Sequence, residues 1–206
     1  MYLCLKIVEY RQFVMGSGIP KEFGTLSELL YHRYAVLSAL HTCVAKDVRG
    51  ENRLFFSVYH NRHKGFLSGE LTVSPLTKDE KLKMTLPQCC VYCGSTKNLT
   101  IDHLLPTKKG GEDIPENYVW ACSSCNSSKG ARDVITWLQS KGRYPSIVVF
   151  RRYVKLVLLY AQKHNLMDCK LDELPANLPF DVEAIKNPDV LPISKAEIYV
   201  PPQMTD

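Results

Sequence analysis

Two pairs of cysteines, each with two residues between its members, constrain the fold of this chain more than any other feature. They are the first knuckle, Cys90 and Cys93, and the second knuckle, Cys122 and Cys125, with 28 residues between them. Each CxxC pair can direct both thiolates at one ion, and four thiolates complete the tetrahedral coordination of Zn²⁺. The sequence therefore predicts a structural zinc site. Cys89 leaves the register of the first knuckle open, although the two-residue spacing favours Cys90.

The N-terminal sequence MYLCLKIVEYRQF does not resemble a secretory signal. Lys6 and Glu9 interrupt it, and no basic segment precedes a continuous apolar run. No stretch approaches the ~18–20 apolar residues that cross a bilayer. We therefore expect an intracellular protein without a transmembrane segment, in the cytoplasm or with its nucleic acid. In that setting, eight cysteines are better explained as metal ligands and buried thiols than as disulfides.

Charge is unevenly distributed along the chain. Residues 1–170 carry a formal charge of +10, whereas residues 171–206 carry −5. A basic body suits an anionic partner such as nucleic acid, although an ordinary solvated surface also fits this balance. Hydrophobic residues make up 45% of the 206 residues, enough for one packed domain with an appendage or for two small domains.

Residues 1–85 predict helices and a hairpin, and no motif in them indicates a role. An apolar run over residues 2–10 suits a short strand. Thr25 and Glu28 have the spacing of a capping box, and leucines at helical intervals predict a helix that continues to about Lys46.

Two β-leaning runs within residues 52–73 flank the polar segment HNRHKG, which predicts a hairpin. Its tip would either be solvated or contact a phosphate backbone through His60, Arg62, His63 and Lys64. Thr77 and Glu80 repeat the capping-box spacing and predict a short helix over residues 77–84.

Apolar periodicity predicts two helices in the C-terminal part of the chain, over residues 133–141 and from residue 146 to about residue 165. On the second helix, several basic side chains share one arc, among them Arg151, Arg152 and Lys155. Such an arc is by default the solvated side of a core helix, and DNA contact is the second interpretation. Residues 171–206 are acidic and contain prolines, which predicts an arm that lies over the body.

A zinc ion held by four thiolates has no open position, so it cannot activate water. Any hydrolysis here needs a second cation with oxygen ligands. Asp102 offers a carboxylate, Asn126 a carbonyl oxygen and His103 a base. Adjacent Asp and His residues are common by chance, so this pair alone would be a weak indication.

The spacing of these residues resembles that of the HNH endonucleases, in the McrA-like subset with zinc knuckles. Fourteen positions separate His103 from Asn117 and nine separate Asn117 from Asn126, as in the HNH domain of RNA-guided CRISPR nucleases. The resemblance covers about residues 86–133. The matching residues are Cys90, Cys93, Asp102, His103, Pro106, Gly110, Gly111, Asn117, Cys122, Cys125, Asn126 and Lys129.

The resemblance implies the ββα-metal fold, in which a two-stranded hairpin and a following helix grip the catalytic metal. The local sequence agrees with this fold. LTIDHLL and NYVWAC suit strands, TKKGGEDIPE suits a turn-rich loop, and SSCNSSKGARD suits the start of a helix. We therefore predict an α+β protein with a ββα-metal core, flanked by mainly helical segments.

The same resemblance implies a role for each matching polar residue. His103 would be the general base, Asp102 and Asn126 would bind one Mg²⁺ or Mn²⁺, and Asn117 would hold the loop that aims His103. A phosphate would be gripped at the first turn of the helix by two basic residues, Lys129 and Arg132. The products would carry a 5′-phosphate and a 3′-hydroxyl.

These inferences predict a metal-dependent DNA endonuclease or nickase with four parts: an N-terminal region (1–85), a nuclease domain with the zinc knuckles (86–142), a basic amphipathic helix (143–170) and an acidic arm (171–206). We expect the protein to bind double-stranded DNA and not a membrane. The sequence does not decide whether it forms a homodimer or binds a partner protein. The alternative is a non-catalytic zinc-ribbon module that binds nucleic acid or acts as an adaptor. Such a module has no use for the Asp, His and Asn residues at these intervals.

Overall fold

In the computed structural model, α-helices flank a small two-stranded sheet. The structure describes residues 22–48, 53–186 and 196–203, so the predicted strand over residues 2–10 lies outside the described residues. The helices are α1 (Leu26–Ala45), α2 (Arg53–Leu67), α3 (Leu76–Thr85), α4 (Ser123–Lys129), α5 (Val134–Ser140), α6 (Ile147–Lys163) and α7 (Val182–Lys186). The strands are β1 (Leu99–His103) and β2 (Tyr118–Cys122), joined by a loop with two short 3₁₀ turns, Thr107–Lys109 and Pro115–Asn117. This mixed architecture confirms the predicted fold class.

The first helix, α1, forms the centre of the core, where it packs against α2, α6 and α7. The predicted cap is confirmed, since Thr25 Oγ1 accepts a hydrogen bond from the Glu28 backbone N–H at 3.3 Å. The Glu28 carboxylate in turn accepts from the Gly24 N–H at 2.8 Å. Apolar side chains around this helix are almost fully buried, including Leu26, Leu29, Leu30, Leu37 and Leu40.

The hairpin predicted within residues 52–73 is wrong, because this segment forms the helix α2. Phe55, Tyr59 and Phe66 are buried and recur at helical spacing, so they form one apolar face against α1. The polar residues that suggested a hairpin tip lie on the helix instead. Gly65 lets the chain turn back after α2, since a Cβ there would lie 2.6 Å from the side chain of Leu71.

The predicted helix over residues 77–84 is α3, although its N-cap is Pro75 and not Thr77. The helix predicted over residues 133–141 is α5. Asp133 caps α5, because its Oδ1 accepts hydrogen bonds from the backbone N–H groups of Ile135 and Thr136 at 2.8 and 3.0 Å.

The basic arc predicted on α6 is largely buried at its N-terminal residues. Arg152 and Lys155 are each only 3% exposed, and Arg151 lies partly buried beside them. Lys155 Nζ lies 2.5 Å from Asp79 Oδ2, and Arg152 is ion-paired with Glu80. Neither interpretation, a solvated side or a DNA contact, therefore fits Arg152 and Lys155, whereas Lys163 at the end of the arc is 59% exposed. The acidic residues of α3 pack over this face of α6 and compensate its charge.

The described parts of the acidic arm lie against the rest of the protein. Arg33 on α1 donates hydrogen bonds to the carbonyl groups of Ile185 and Lys186, at the end of α7. Residues 196–203 run past the start of α6, where the carbonyl groups of Glu197 and Ile198 accept from the first two N–H groups of the helix. None of the helices in the described part of the chain combines the length and the apolar character that a membrane span requires.

Candidate active site and metal centre

The four cysteines of the two knuckles come together as predicted. Their Sγ atoms all lie within 4.8 Å of one another, and those of Cys93 and Cys122 are 3.7 Å apart. A tetrahedral Zn²⁺ with Zn–S bonds of about 2.3 Å requires sulfur atoms about 3.8 Å apart, so the cluster is compatible with structural zinc. Cys89 lies outside the cluster, because its Sγ points to the carbonyl oxygen of Val200 at 3.6 Å. Cys90 is therefore the cysteine that belongs to the first knuckle.

The backbone of the first knuckle turns at Gly94. This residue has a φ of +80°, and its N–H donates to the Cys90 carbonyl at 2.8 Å. A Cβ at Gly94 would lie 2.4 Å from the carbonyl oxygen of Pro201, and the Gln203 N–H donates to the Gly94 carbonyl at 2.8 Å. The C-terminal segment therefore packs directly against the knuckle, and only glycine fits at this position.

The hairpin of β1 and β2 places consecutive candidate residues on opposite sides. Asp102 pairs with Val119 and His103 pairs with Tyr118 in the antiparallel register. Side chains alternate along a strand, so Asp102 is buried under α4 while His103 is partly exposed. The helix α4 starts directly after β2 and contacts both strands. This arrangement has the order of elements that the ββα-metal fold requires.

The carboxylate of Asp102 is only 5% exposed and is held from two sides. Its Oδ2 accepts a hydrogen bond from the Tyr92 hydroxyl at 2.6 Å, and its Oδ1 accepts from Lys129 Nζ at 3.0 Å. Tyr92 lies within the first knuckle. Burial, and next the negative charge of Asp102, raise the pKa of Tyr92, so its hydroxyl keeps its proton and remains a donor.

Lys129 does not occupy the position predicted for a phosphate ligand. It is the last residue of α4 and not part of the first turn, it is 1% exposed, and it donates to Asp102 and to the His103 carbonyl at 2.7 Å. The predicted phosphate contact is therefore wrong for Lys129, whose ammonium group compensates a buried carboxylate instead. Arg132 is exposed, and its phosphate contact stays a prediction.

The side chain of Asn126 is anchored to β1 beside Asp102. Its Nδ2 donates to Thr100 Oγ1 and to the Ile101 carbonyl, both at 3.0 Å. This orientation leaves Oδ1 as the free ligand atom of the amide. An amide oxygen and a carboxylate form a hard donor pair, which fits Mg²⁺ or Mn²⁺ better than a softer ion. Such a cation would share Asp102 with the ammonium group of Lys129.

His103 contacts two residues that the sequence did not single out. Its Nε2 lies 2.8 Å from Asp113 Oδ1, and the same oxygen accepts a hydrogen bond of 2.7 Å from the Tyr118 hydroxyl. The rings of His103 and Tyr118 meet edge to face, with centroids 5.1 Å apart. The hydrogen bond from Tyr118, and next that from His103, lower the pKa of Asp113, so this carboxyl group is ionised at neutral pH. The predicted strands LTIDHLL and NYVWAC are the sequence signal that could have paired His103 with Tyr118, whereas nothing in the loop indicated Asp113.

Asn117 closes the loop between the two strands. It is 1% exposed, its Oδ1 accepts from the Leu105 N–H, and its Nδ2 donates to the carbonyl groups of Leu105 and Glu112, all at 2.8 Å. The two glycines of the loop allow this closure. Gly110 has a φ of +96°, and a Cβ at Gly111 would lie 2.2 Å from the Leu105 carbonyl oxygen.

Comparison with known families identifies this region. The model of the HNH endonuclease family matches residues 90–132, which include the four cysteines of the cluster, Asp102, His103, Asn117 and Asn126. Residues 90–132 therefore match the HNH endonuclease family, whose members act on nucleic acid, and this match supports a nuclease-type function in general. The chain as a whole has no significant match among curated proteins or among solved structures.

Proposed function

We propose that this protein is a metal-dependent DNA endonuclease or nickase. One observation carries the proposal: β1 presents Asp102 and His103 in succession, and α4 brings Asn126 onto the same strand at the Ile101 carbonyl. A base and a pair of oxygen ligands then lie within one strand-helix unit. This is the set of groups that hydrolysis of a phosphodiester requires.

Each residue has a defined task in this reaction. Asp102 and Asn126 would hold one Mg²⁺ or Mn²⁺, which stabilises the charge that develops on the phosphate and on the leaving oxygen. His103 takes a proton from water as its oxygen bonds to phosphorus, and the bond to the 3′ oxygen breaks. Solvent protonates the leaving oxygen. The products are a 5′-phosphate and a 3′-hydroxyl.

Double-stranded DNA is the substrate that we propose. Residues 1–170 carry a formal charge of +10, which favours a polyanion. Arg152 and Lys155 are buried and so are poor candidates for contacts with the DNA. Exposed basic residues around the domain are better candidates for phosphate contacts: Lys108 and Lys109 in the loop after β1, and Arg132 after α4.

One observation favours the non-catalytic alternative. Both carboxylate oxygens of Asp102 already accept hydrogen bonds from protein donors, and the Lys129 ammonium balances the charge without a second metal. A zinc module that only binds nucleic acid would be stable in this state. The two functions differ in one respect, which is whether DNA is cut.

Cleavage of supercoiled plasmid by zinc-loaded protein in Mg²⁺ or Mn²⁺ tests the proposal. We expect relaxed circles with the wild type and a rate lower by about 10²–10⁴-fold with His103→Ala. His164→Ala removes an exposed histidine outside the site and serves as the matched control. A wild type that binds DNA but leaves it intact in both metals would establish the non-catalytic alternative.

A further inference from the structure

We propose that Asp113 is a positioning residue that fixes the tautomer and the orientation of the His103 ring. The inference deepens the proposed nuclease function and rests on it for its catalytic meaning. The structural part, which nitrogen of His103 carries the proton, does not depend on that function. The two parts can therefore be tested separately.

The tautomer follows from the chemistry of the acceptor. An ionised carboxylate has no proton to donate, so the 2.8 Å contact between Asp113 Oδ1 and His103 Nε2 requires a proton on Nε2. In the neutral ring, Nδ1 then carries the lone pair and is the only nitrogen able to accept a proton. Asp113 thus selects the atom at which His103 acts as a base.

The orientation of the ring is fixed by the same group. Tyr118 lies opposite His103 in the hairpin, its ring stands edge to face at 5.1 Å, and its hydroxyl donates to Asp113 Oδ1 at 2.7 Å. The three side chains form a closed triangle in which rotation of the His103 ring would break a hydrogen bond. A restrained base loses less conformational entropy when it reaches the geometry for proton transfer.

The position of Asp113 depends on Asn117. The Asn117 Nδ2 donates to the carbonyl group of Glu112 at 2.8 Å, directly before Asp113. The buried amide therefore sets the path of the loop, and the loop delivers the carboxylate to His103. Through these contacts Asn117 orients the His103 ring without contacting it directly.

The exposure of Asp113 separates a positioning role from a structural one. Its side chain is 74% exposed, and exposed ion pairs contribute little to stability. Removal of the carboxylate should therefore leave the fold intact. Its effect should appear in the state of His103 and in catalysis.

The direct test is the long-range ¹H–¹⁵N spectrum of the His103 ring, recorded on zinc-loaded protein at pH 8 with no DNA. We expect the wild type to carry its proton on Nε2 and Asp113→Ala to show a population with the proton on Nδ1. Asp113→Glu should restore much of the wild-type signal. A wild type protonated on Nδ1, or an unchanged spectrum in Asp113→Ala, would overturn the proposal.

The catalytic test compares plasmid nicking by the same variants. Asp113→Ala should lower kcat by about 10–100-fold with little change in KM, because the carboxylate contacts the base and not the DNA. Tyr118→Phe keeps the contact between His103 and Asp113, so its loss should be smaller. Equal kcat values for Asp113→Ala and wild type would also overturn the proposal. If the wild type does not cut DNA, the proposed function fails, and the spectrum still decides the tautomer.

Discussion

The hydroxyl of Tyr92 donates a hydrogen bond of 2.6 Å to Oδ2 of Asp102, and this contact joins the first knuckle to the candidate catalytic carboxylate. The second knuckle makes a comparable connection, because Asn126 directly follows Cys125 in α4. Both proposed ligands of the catalytic cation are thus attached to the cysteine cluster. A zinc ion there would stabilise the geometry of the cutting site as well as the local fold.

The Tyr92 contact predicts a variant that folds but cuts poorly. Tyr92→Phe keeps the packing against Trp137, whose ring centroid lies 5.0 Å away, and removes only the hydroxyl. Asp102 then loses a donor in a buried position, which should cost about 1–3 kcal/mol of stability. We expect about 10-fold slower nicking with zinc still bound. Tyr144→Phe, at an exposed tyrosine, is the control, and equal nicking by the two variants would refute the role of the contact.

The two adjacent cysteines provide a matched pair for the zinc site. Cys90→Ser removes a ligand from the cluster, whereas Cys89→Ser alters a thiol that faces Val200. We expect Cys90→Ser to lose zinc and to unfold at a lower temperature, and Cys89→Ser to keep one zinc ion per chain. Metal analysis by mass spectrometry measures this directly. Loss of zinc in Cys89→Ser alone would reverse our assignment.

The buried ion pairs between α3 and α6 predict an effect on stability and not on DNA binding. Lys155→Met leaves Asp79, which is 2% exposed, without its closest cation. Removal of one partner of a buried pair costs about 3–5 kcal/mol, which urea unfolding will detect. Lys163→Met breaks an exposed pair with Glu112 and should cost less than about 1 kcal/mol. If Lys155→Met has wild-type stability but binds DNA more weakly, Lys155 contacts DNA and is not a buried ion-pair partner.

Buried His32 predicts a loss of stability in mild acid. Burial, and next the charges of Arg33 and His63, lower the pKa of His32 from 6.5 to about 2, and its Nδ1 lies 3.0 Å from the Tyr59 hydroxyl. Since the folded state resists protonation, the stabilisation is complete above the unfolded pKa of 6.5 and is lost as the pH falls below it.

Urea unfolding at pH 7.5 and 5.5 measures this contribution. Between these values the wild type should lose about 1 kcal/mol more than His32→Asn, whose amide oxygen replaces Nδ1 without titrating. His164→Asn is the exposed control and should follow the wild type. Identical losses in the wild type and His32→Asn would show that His32 does not resist protonation.

The sequence predicted the cysteine cluster because the covalent spacing of the cysteines determines it. Two residues between the cysteines of each knuckle direct both thiolates at one ion, which predicted the cluster. The ββα order was implied by the resemblance of the intervals from His103 to Asn117 and Asn126 to those of the HNH endonucleases. Lys129 was misplaced because its interval from Asn126 does not say which side of α4 faces β1. Asp113 was missed because it lies in a polar loop, where no periodic pattern indicates the direction of a side chain.

Long-range packing explains the other errors. In the sequence, Arg152 and Lys155 have the pattern of a solvent-exposed helix face. Only the position of α3 in the structure shows that acidic side chains cover them. The segment that forms α2 contains aromatic residues that suit strands, whereas their contacts with α1 select a helix. In both cases the helix that determines the outcome, α3 for the basic residues and α1 for α2, is distant in sequence from the residues that it contacts or is not predicted to pack against them.

If His103 is the base of a working nuclease, added imidazole should restore nicking to a variant that lacks this side chain. The rate of relaxed-circle formation is measured for the wild type and His103→Ala in the same divalent metal, with and without added imidazole. We expect His103→Ala to be slower by at least about 10²-fold, and imidazole to accelerate this variant but not the wild type. Wild-type rates in His103→Ala without imidazole would contradict this expectation.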